Sequence, residues 1–405
     1  MKNFELLAPA GNFAKLKTAL YFGADAVYVG GKNFSLRALS DNFSDDEMRE
    51  AVLYTHERNK KIYVAVNVLA RGAELEKIDE YLGFLNDSGV DAVIVSDPGI
   101  ISLCRENHPS LQVHLSTQAS TTNRLAAKFW KNAGVTRVVL ARELSLAEVK
   151  DISDNCGIET EIFVHGAMCI SYSGRCLLSE YFTGRNPNAG ACAQCCRWEY
   201  ELREKNRGGE FYPIEEDERG TYILNSKDLN LINYLHEIKQ SGAVSLKIEG
   251  RMKSEYYLAT VVNAYRRAID AYEKFGENYK EKFDFLAETE KTAHREFTTA
   301  YALGKNPSTV NHSDSQSKGT RVFTAVCVGN GSDEKGEYSV IEMRNRFKKG
   351  DVLEVLSPSE NFNERFAVDY MTDVKGSAID DAKLVQQRIK LYGAPKLSYG
   401  DILRK

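Results

Sequence analysis

Through its first 275 residues the chain alternates short apolar runs with stretches whose apolar positions recur every three or four residues. The runs predict strands at Phe4–Ala8, Ala26–Gly30, Ile62–Asn67, Ala92–Ser96, Gln112–Leu115, Arg137–Ala141, Thr160–His165 and Val244–Glu249. Several are nearly continuous Val, Ile and Ala, as parallel strands buried on both faces require. The intervening stretches predict helices over Asn12–Phe22, Asp45–Asn59, Leu75–Ser88, Asn123–Ala133 and Leu146–Asp154, with Ser44 and Glu47 spaced for a capping box. Gly23, Gly89 and Gly134 each follow a helical pattern and precede a strand, where a left-handed residue is wanted.

Eight strand–helix units in residues 1–275 predict a (β/α)8 barrel of the TIM type rather than an open doubly wound sheet. The turn after the first strand, Ala8-Pro9-Ala10-Gly11-Asn12, lacks the glycine-rich phosphate loop that an open sheet usually carries. The connection between strands seven and eight, residues 166–243, is abnormally long and carries most of the cysteines, with an extra strand pattern at Tyr222–Leu224. Barrel enzymes build their sites on such loops. Residues 276–320 read as a charged helix over Tyr279–Ala293 and a polar linker over Gly304–Gly319. Residues 321–405 predict a small all-β barrel, with strands at Val322–Val328, Glu337–Glu342, Val352–Leu356, Phe366–Tyr370 and Leu384–Ile389.

Composition changes this picture little: 405 residues, 43% hydrophobic and 27% charged, suit two globular domains. The net charge of −4 excludes a strongly basic coat but not a local patch. Fifteen cations face thirteen anions in residues 318–405, and Arg344, Arg346, Lys348 and Lys349 flank Phe347, a patch that could meet nucleic-acid phosphate. No apolar run approaches the roughly 18 residues that span a bilayer. The first residues lack the apolar core of a secretion signal, so a soluble cytoplasmic protein with no membrane partner is expected.

Cysteine is where the chain departs from the ordinary. Five of eight fall within residues 169–196: Cys169, Cys176, Cys192, Cys195 and Cys196. In a reducing compartment such clustering points to a metal or redox site, and four thiolates on one loop can hold an iron–sulfur cluster or a zinc ion. Spacing leaves both open. Cys104, Cys156 and Cys327 read as small buried hydrophobes.

The stretch EIFVHGAMCISYSGRCLLS, Glu161 to Ser179, follows the pattern E-x-F-x-x-G-(S/A)-h-C-x4-G-x-C-x-h-S, with h hydrophobic. On it the chain resembles the collagenase-like U-thirty-two peptidase family. Leu6–Gly11, Gly23–Tyr28, Asn225–Leu229 and Lys247–Arg251 extend the resemblance over essentially the whole sequence. The family label is a weak guide to chemistry, because neither HExxH nor GxSxG is present. Members most similar to this chain are oxygen-independent hydroxylases. The resemblance therefore implies a [4Fe–4S] cluster on Cys169, Cys176, Cys192 and Cys196, prephenate as co-substrate and tRNA wobble uridine as substrate, converted to 5-hydroxyuridine. Cys195 stands where relatives often carry another residue. A partner protein of the same family is a further expectation. The alternatives are a peptidase, hydroxylation of a ribosomal cytidine or a quinone precursor, and a non-catalytic RNA-binding protein with a structural metal.

Other site candidates follow from strand ends. Glu249 ends strand eight and Arg251 follows it by two residues; they could manage a proton and a substrate carboxylate respectively. Arg142 lies past strand six and Arg175 between two cysteines, both suited to a small anionic co-substrate. His165 ends strand seven, four residues before Cys169, as a catalytic candidate. His114, Gln118 and Asn67 are expected to face the mouth. Tyr172, Tyr181 and Trp198 surround the cysteines and could stack on a base or pack over the cluster.

Overall fold

The computed structural model describes residues 4–32, 34–35, 42–168, 178–185, 193, 195, 215–217, 220–222, 226–304 and 317–405. The apolar runs become β1 (Glu5–Pro9), β2 (Ala26–Gly30), β3 (Lys61–Ala65), β4 (Ala92–Val95), β5 (Gln112–Leu115), β6 (Arg137–Val139), β7 (Glu159–Ala167) and β8 (Ser245–Ile248). Each pairs in parallel with the next, and β8 pairs with β1, which closes the ring. Between them lie α1 (Phe13–Tyr21), α2 (Asp45–His56), α3 (Leu75–Asp87), α4 (Pro98–Asn107), α5 (Arg124–Asn132), α6 (Leu146–Cys156) and α7 (Leu235–Gln240), and α8 (Glu255–Phe275) follows β8. The capping box at α2 forms as expected: Ser44 Oγ accepts from the Glu47 amide, and the Glu47 carboxylate accepts from the Ser44 amide at 2.8 Å. Gly23, Gly89 and Gly134 take φ of +104°, +81° and +90°.

The interior of the ring is divided. Leu7, Ala26, Tyr28, Tyr63, Ala92 and Ile94 fill the side of β1–β4 with apolar and aromatic groups. The other side holds charge: Glu161, wholly buried, accepts from Lys247 Nζ at 2.8 Å and lies 3.3 Å from Arg137, which also meets Glu5 and Glu159. Burial alone would raise the Glu161 carboxyl, but Lys247 and Arg137 outweigh it and hold it at about 2. The outer faces of the strands pack against the helices in one large apolar core.

A short strand, Asp228–Asn230, runs antiparallel to the end of β7 and continues to Phe297–Thr298. Ala167 and Asp228 are register partners, so the two ends of the long insertion stand side by side. Among the described residues the insertion also contains a helix, Leu178–Thr183, and a ribbon of Glu215–Asp217 with Gly220–Tyr222. The expected charged helix at Tyr279–Ala293 is instead a 3-10 turn, Gly276–Glu281, and a short helix, Phe285–Thr289. Asp284 breaks it by capping the second piece, its carboxylate accepting from the Ala287 amide at 3.0 Å. No described helix is long and apolar enough to cross a membrane.

The remaining residues form an antiparallel sheet of β9 (Phe323–Asp333), β10 (Gly336–Met343), β11 (Val352–Leu356), β12 (Arg365–Ala367), β13 (Tyr370–Asp373), β14 (Arg388–Tyr392) and β15 (Ile402–Arg404). Their order is β12-β11-β15-β9-β10-β14-β13. The two edge strands, β12 and β13, are consecutive in the chain and joined only by Val368 and Asp369, so the sheet curls back on itself around one apolar core. Two expectations needed correction. The run at Phe366–Tyr370 splits into two strands, because Val368 is buried and bonds back to Gly350 and Asp351. The run at Leu384–Ile389 begins as a turn, with Gln386 at φ +63°, and becomes a strand only at Arg388.

Candidate active site at the barrel mouth

Glu249 sits at the end of β8, where its backbone is fixed on both sides. Its amide donates to the His165 carbonyl at 2.8 Å, and its own carbonyl accepts from the Tyr257 hydroxyl at 2.9 Å. Gly166, at φ +106°, makes this possible: a Cβ there would lie 2.4 Å from the Glu249 carbonyl oxygen. The Glu249 carboxylate then accepts from Arg142 Nη2 at 3.1 Å, across the ring from β8 to the end of β6. The Arg142 guanidinium lies 3.7 Å from the centre of the Phe163 ring. Lys247 approaches the same ring at 5.5 Å and Tyr28 at 4.6 Å, while Glu161 holds its ammonium. The structure thus brings two predicted residues, Arg142 and Glu249, together over an aromatic floor, with the buried Lys247–Glu161 pair against that floor.

On strands three to five, Asn67 Nδ2 donates to Gln118 Oε1 at 2.8 Å, and Ser96 Oγ donates to the Asn67 carbonyl at 3.0 Å. These two predicted residues are therefore also neighbours. Arg251 is buried and turns toward β2, where it bonds Ser35 Oγ at 3.0 Å and Asn42 Oδ1 at 2.5 Å. A Cβ on Gly30 would collide with its guanidinium, so that glycine gives it room. Arg251 joins β8 to the segment after β2.

Both predicted histidines lie elsewhere than expected. His114 is one layer down inside the ring, edge-on to Tyr63 at 4.6 Å, and burial followed by the nearby Arg137 lowers its imidazole to about 3. His165 leaves the ring altogether. The β7–β8 register shifts at Lys247/Ile248, and this irregularity aims His165 outward among Tyr257, Tyr265 and Phe297 at 6.0, 5.6 and 5.5 Å. Its Nδ1 has no hydrogen-bond partner among the described residues, and burial pushes it down to about 3 against the pull of Asp228.

The insertion leaves the mouth between Ala167 and Asp228. The buried Asp228–Arg295 pair, 2.6 Å apart and reinforced by the Arg295 amide, pins that junction. Further along, Ser179 Oγ accepts from the Ala193 amide at 2.9 Å, Cys195 is buried, and Tyr181 is 83% exposed beside Phe182. Among the described residues the Tyr181 ring meets Phe182 edge-on, with centroids 5.1 Å apart. Cys169, Cys176, Cys192, Cys196, Arg175, Tyr172 and Trp198 lie outside the described residues. Among the described residues no group of three His, Cys, Asp or Glu side chains is placed to hold a metal ion. Sequence reasoning overlooked Glu161, Lys247, Arg137 and Asp228. Their signal was a charge set inside an apolar strand, as in Ser245-Leu246-Lys247-Ile248.

The profile of Peptidase family U32 matches residues 11–312, and that of the Peptidase family U32 C-terminal domain matches residues 322–404. The chain is 40% identical to tRNA hydroxylation protein P1 of Bacillus subtilis (strain 168), over 100% of this chain and 95% of that protein. It is 36% identical to tRNA hydroxylation protein P of Escherichia coli (strain K12), over 93% of this chain and 90% of that protein. It is 33% identical to 23S rRNA 5-hydroxycytidine C2501 synthase of the same organism, over 88% of this chain but 53% of that longer protein.

Proposed function

This chain belongs to peptidase family U32, and we propose that within it the protein is an RNA-modifying enzyme that hydroxylates the wobble uridine of tRNA to 5-hydroxyuridine. The observation that carries this reading is end-to-end similarity, through barrel and C-terminal domain alike, to relatives named for tRNA hydroxylation. The relative named for 5-hydroxycytidine supports the same pyrimidine carbon as the target.

Cys169, Cys176, Cys192 and Cys196 would hold a [4Fe–4S] cluster. Four soft thiolates on one excursion, whose ends stand together at the barrel mouth, are a donor set that suits it. When bound, the cluster supplies one-electron chemistry. The chain's own groups supply the rest. The reaction is read as oxygen-independent, with prephenate as co-substrate, and a dianion of that kind needs a cation at the mouth. Arg142 would take one of its carboxylates in a charge-assisted pair, in exchange for Glu249. Glu249, so released, would hold or deliver the proton. Phe163, whose ring centre lies 3.7 Å from the guanidinium, would support it during the exchange.

The test is nucleoside analysis of tRNA from cells lacking this chain. Loss of 5-hydroxyuridine and its derivatives, restored by the wild-type chain, is the expected result. Unchanged tRNA with loss of a hydroxylated ribosomal cytidine would move the substrate to rRNA, and no change in either RNA would sink the reading. Protein purified without oxygen should lose most of its iron on Ala substitution at Cys169, Cys176, Cys192 or Cys196, but keep it in Cys195→Ala.

A further inference from the structure

The basic segment 344–349 is not the free row of cations that its sequence suggests. Arg346 makes two hydrogen bonds to Asp381, at 2.9 and 2.6 Å, and Arg344 binds Glu342 at 2.5 Å. Pairing of Phe347–Lys348 with Asp381–Ala382, and backbone bonds of Met343 with Gln386 and Gln387, join residues 342–349 and 380–388 into one edge. That edge carries six cations (Arg344, Arg346, Lys348, Lys349, Lys383, Arg388) against three carboxylates, a net of +3 in a chain whose total is −4.

At its tip Leu384 and Val385 are 67% and 71% exposed, while Ile389 and Leu391 beyond them are buried in the core. The left-handed Gln386 turns the chain so that these two aliphatic side chains stay outside. The edge also lies toward the barrel mouth. The Arg344 guanidinium is 5.9 Å from the Phe323 ring, which stacks at 5.6 Å on Tyr256 in the first turn of α8. The next residue, Tyr257, bonds the Glu249 carbonyl. In this fold the first turns of the helices stand at the catalytic end.

We infer that residues 342–349 and 380–388 form an RNA-docking edge, in which Leu384 and Val385 wedge against unstacked bases while Lys383, Arg388 and Arg346 hold flanking phosphates. The inference rests on the RNA-hydroxylase reading. Apolar wedges flanked by cations are how proteins enter a base step, and unpaired RNA loops offer bases already splayed. The net positive charge and the connection to the mouth favour RNA over an acidic protein surface.

The experiment titrates the full-length protein with bulk tRNA from cells lacking this chain, at several salt concentrations. Lys383→Ala/Arg388→Ala should lower the slope of log affinity against log salt by about 1.4–1.8, the release expected for two phosphates. Leu384→Ser/Val385→Ser should weaken tRNA binding by about tenfold, which partial burial of one aliphatic side chain supplies, and should leave the slope alone. Both variants should melt like wild type. If wild type binds tRNA with a steep salt dependence and neither variant changes it, the docking edge is wrong and the hydroxylase reading stands. Should the variants lose association with another protein while binding tRNA normally, the edge is a protein interface and the inference falls. Wild type that neither binds tRNA nor alters its nucleosides overturns the tRNA reading itself, and the docking edge with it.

Discussion

At the scale of single residues, the mouth turns on one pair. Arg142 and Glu249 come from strands six and eight, and each is mostly buried, with side-chain exposures of 10% and 18%. A pair this sheltered, stacked on Phe163, can act through proton transfer or simply hold the ring closed. Glu249→Gln separates the roles. It keeps shape and hydrogen bonding, and a general base lost there should lower turnover by about 10²–10⁴-fold with iron content and tRNA binding intact. Near-normal turnover with a lowered melting temperature would make Glu249 a structural partner instead. The buried histidines make a second residue-scale prediction. His114 and His165 each titrate near 3 in the folded chain against 6.5 for the free side chain. Between those values the unfolded chain binds more protons, so stability is full above pH 6.5 and is lost as pH falls toward 3. At pH 5 each should have cost roughly 2 kcal/mol relative to neutral pH. Urea unfolding at pH 7 and pH 5 should show that loss, and His165→Gln, which cannot titrate, should roughly halve it. An equal loss in the variant would mean another group is responsible. Arg142 and Glu249 were legible as charges at strand ends. His165 was not, since strict alternation from Phe163 points it into the mouth and only the irregular β7–β8 register turns it out.

At the scale of elements, the alternation of apolar runs locates the barrel strands wherever periodicity is undisturbed. Ala26–Gly30 and Gln112–Leu115 match their predicted bounds, and the other six barrel strands differ by no more than two residues at any end. The failures have physical causes. Helix α8 was missed although it is the longest, because tertiary burial on nearly all sides of its first half erases the polar stripe that marks a surface helix. The strand Asp228–Asn230 was missed because its partner is the end of β7, far away in sequence, and its register is set by the Asp228–Arg295 pair. The glycine at the β7–β8 junction carries an element-scale prediction. With Gly166 at φ +106° and the Glu249 carbonyl in the way of a Cβ, Gly166→Ala should cost about 1–3 kcal/mol in left-handed strain alone. It should also push the end of β8 away from β7, so turnover should fall along with stability. Wild-type turnover in a destabilised Gly166→Ala would show that the mouth tolerates a displaced Glu249.

At the scale of the whole molecule, the two domains are joined by buried charge. Arg404, in the last strand, is wholly buried and lies 2.7 Å from Glu288 of the barrel-side helix and 2.8 Å from Glu354 of β11. Lys291 completes the cluster, 2.8 Å from Glu288 and 2.7 Å from Glu354. Two carboxylates and two closely paired cations from both domains therefore offset one another largely out of water, and the more exposed Arg321 and Arg365 stand 3.6 and 3.9 Å from Glu354. Nothing in the local pattern around Arg404 announces this, because each member is an ordinary charge in its own segment and only the fold assembles them. The consequence is an asymmetry. Removing one member strands its partners in a medium of low polarity, at about 3–5 kcal/mol, whereas replacing a matched pair with apolar groups of like size can be nearly neutral. Arg404→Met should therefore lower the stability of the full chain by that amount, and should split its melting curve as the C-terminal sheet loosens from the barrel. Glu288→Met made together with Arg404→Met should recover much of the loss, although Glu354 still keeps Lys291. If the docking edge depends on this seam to stay turned toward the mouth, Arg404→Met should also raise the tRNA concentration needed for half-maximal turnover more than it lowers the maximal rate. An Arg404→Met chain that melts in one step at the wild-type temperature would show that the domains are held by their apolar contacts, Tyr256 on Phe323 and Phe283 on Phe362, and not by the buried charges.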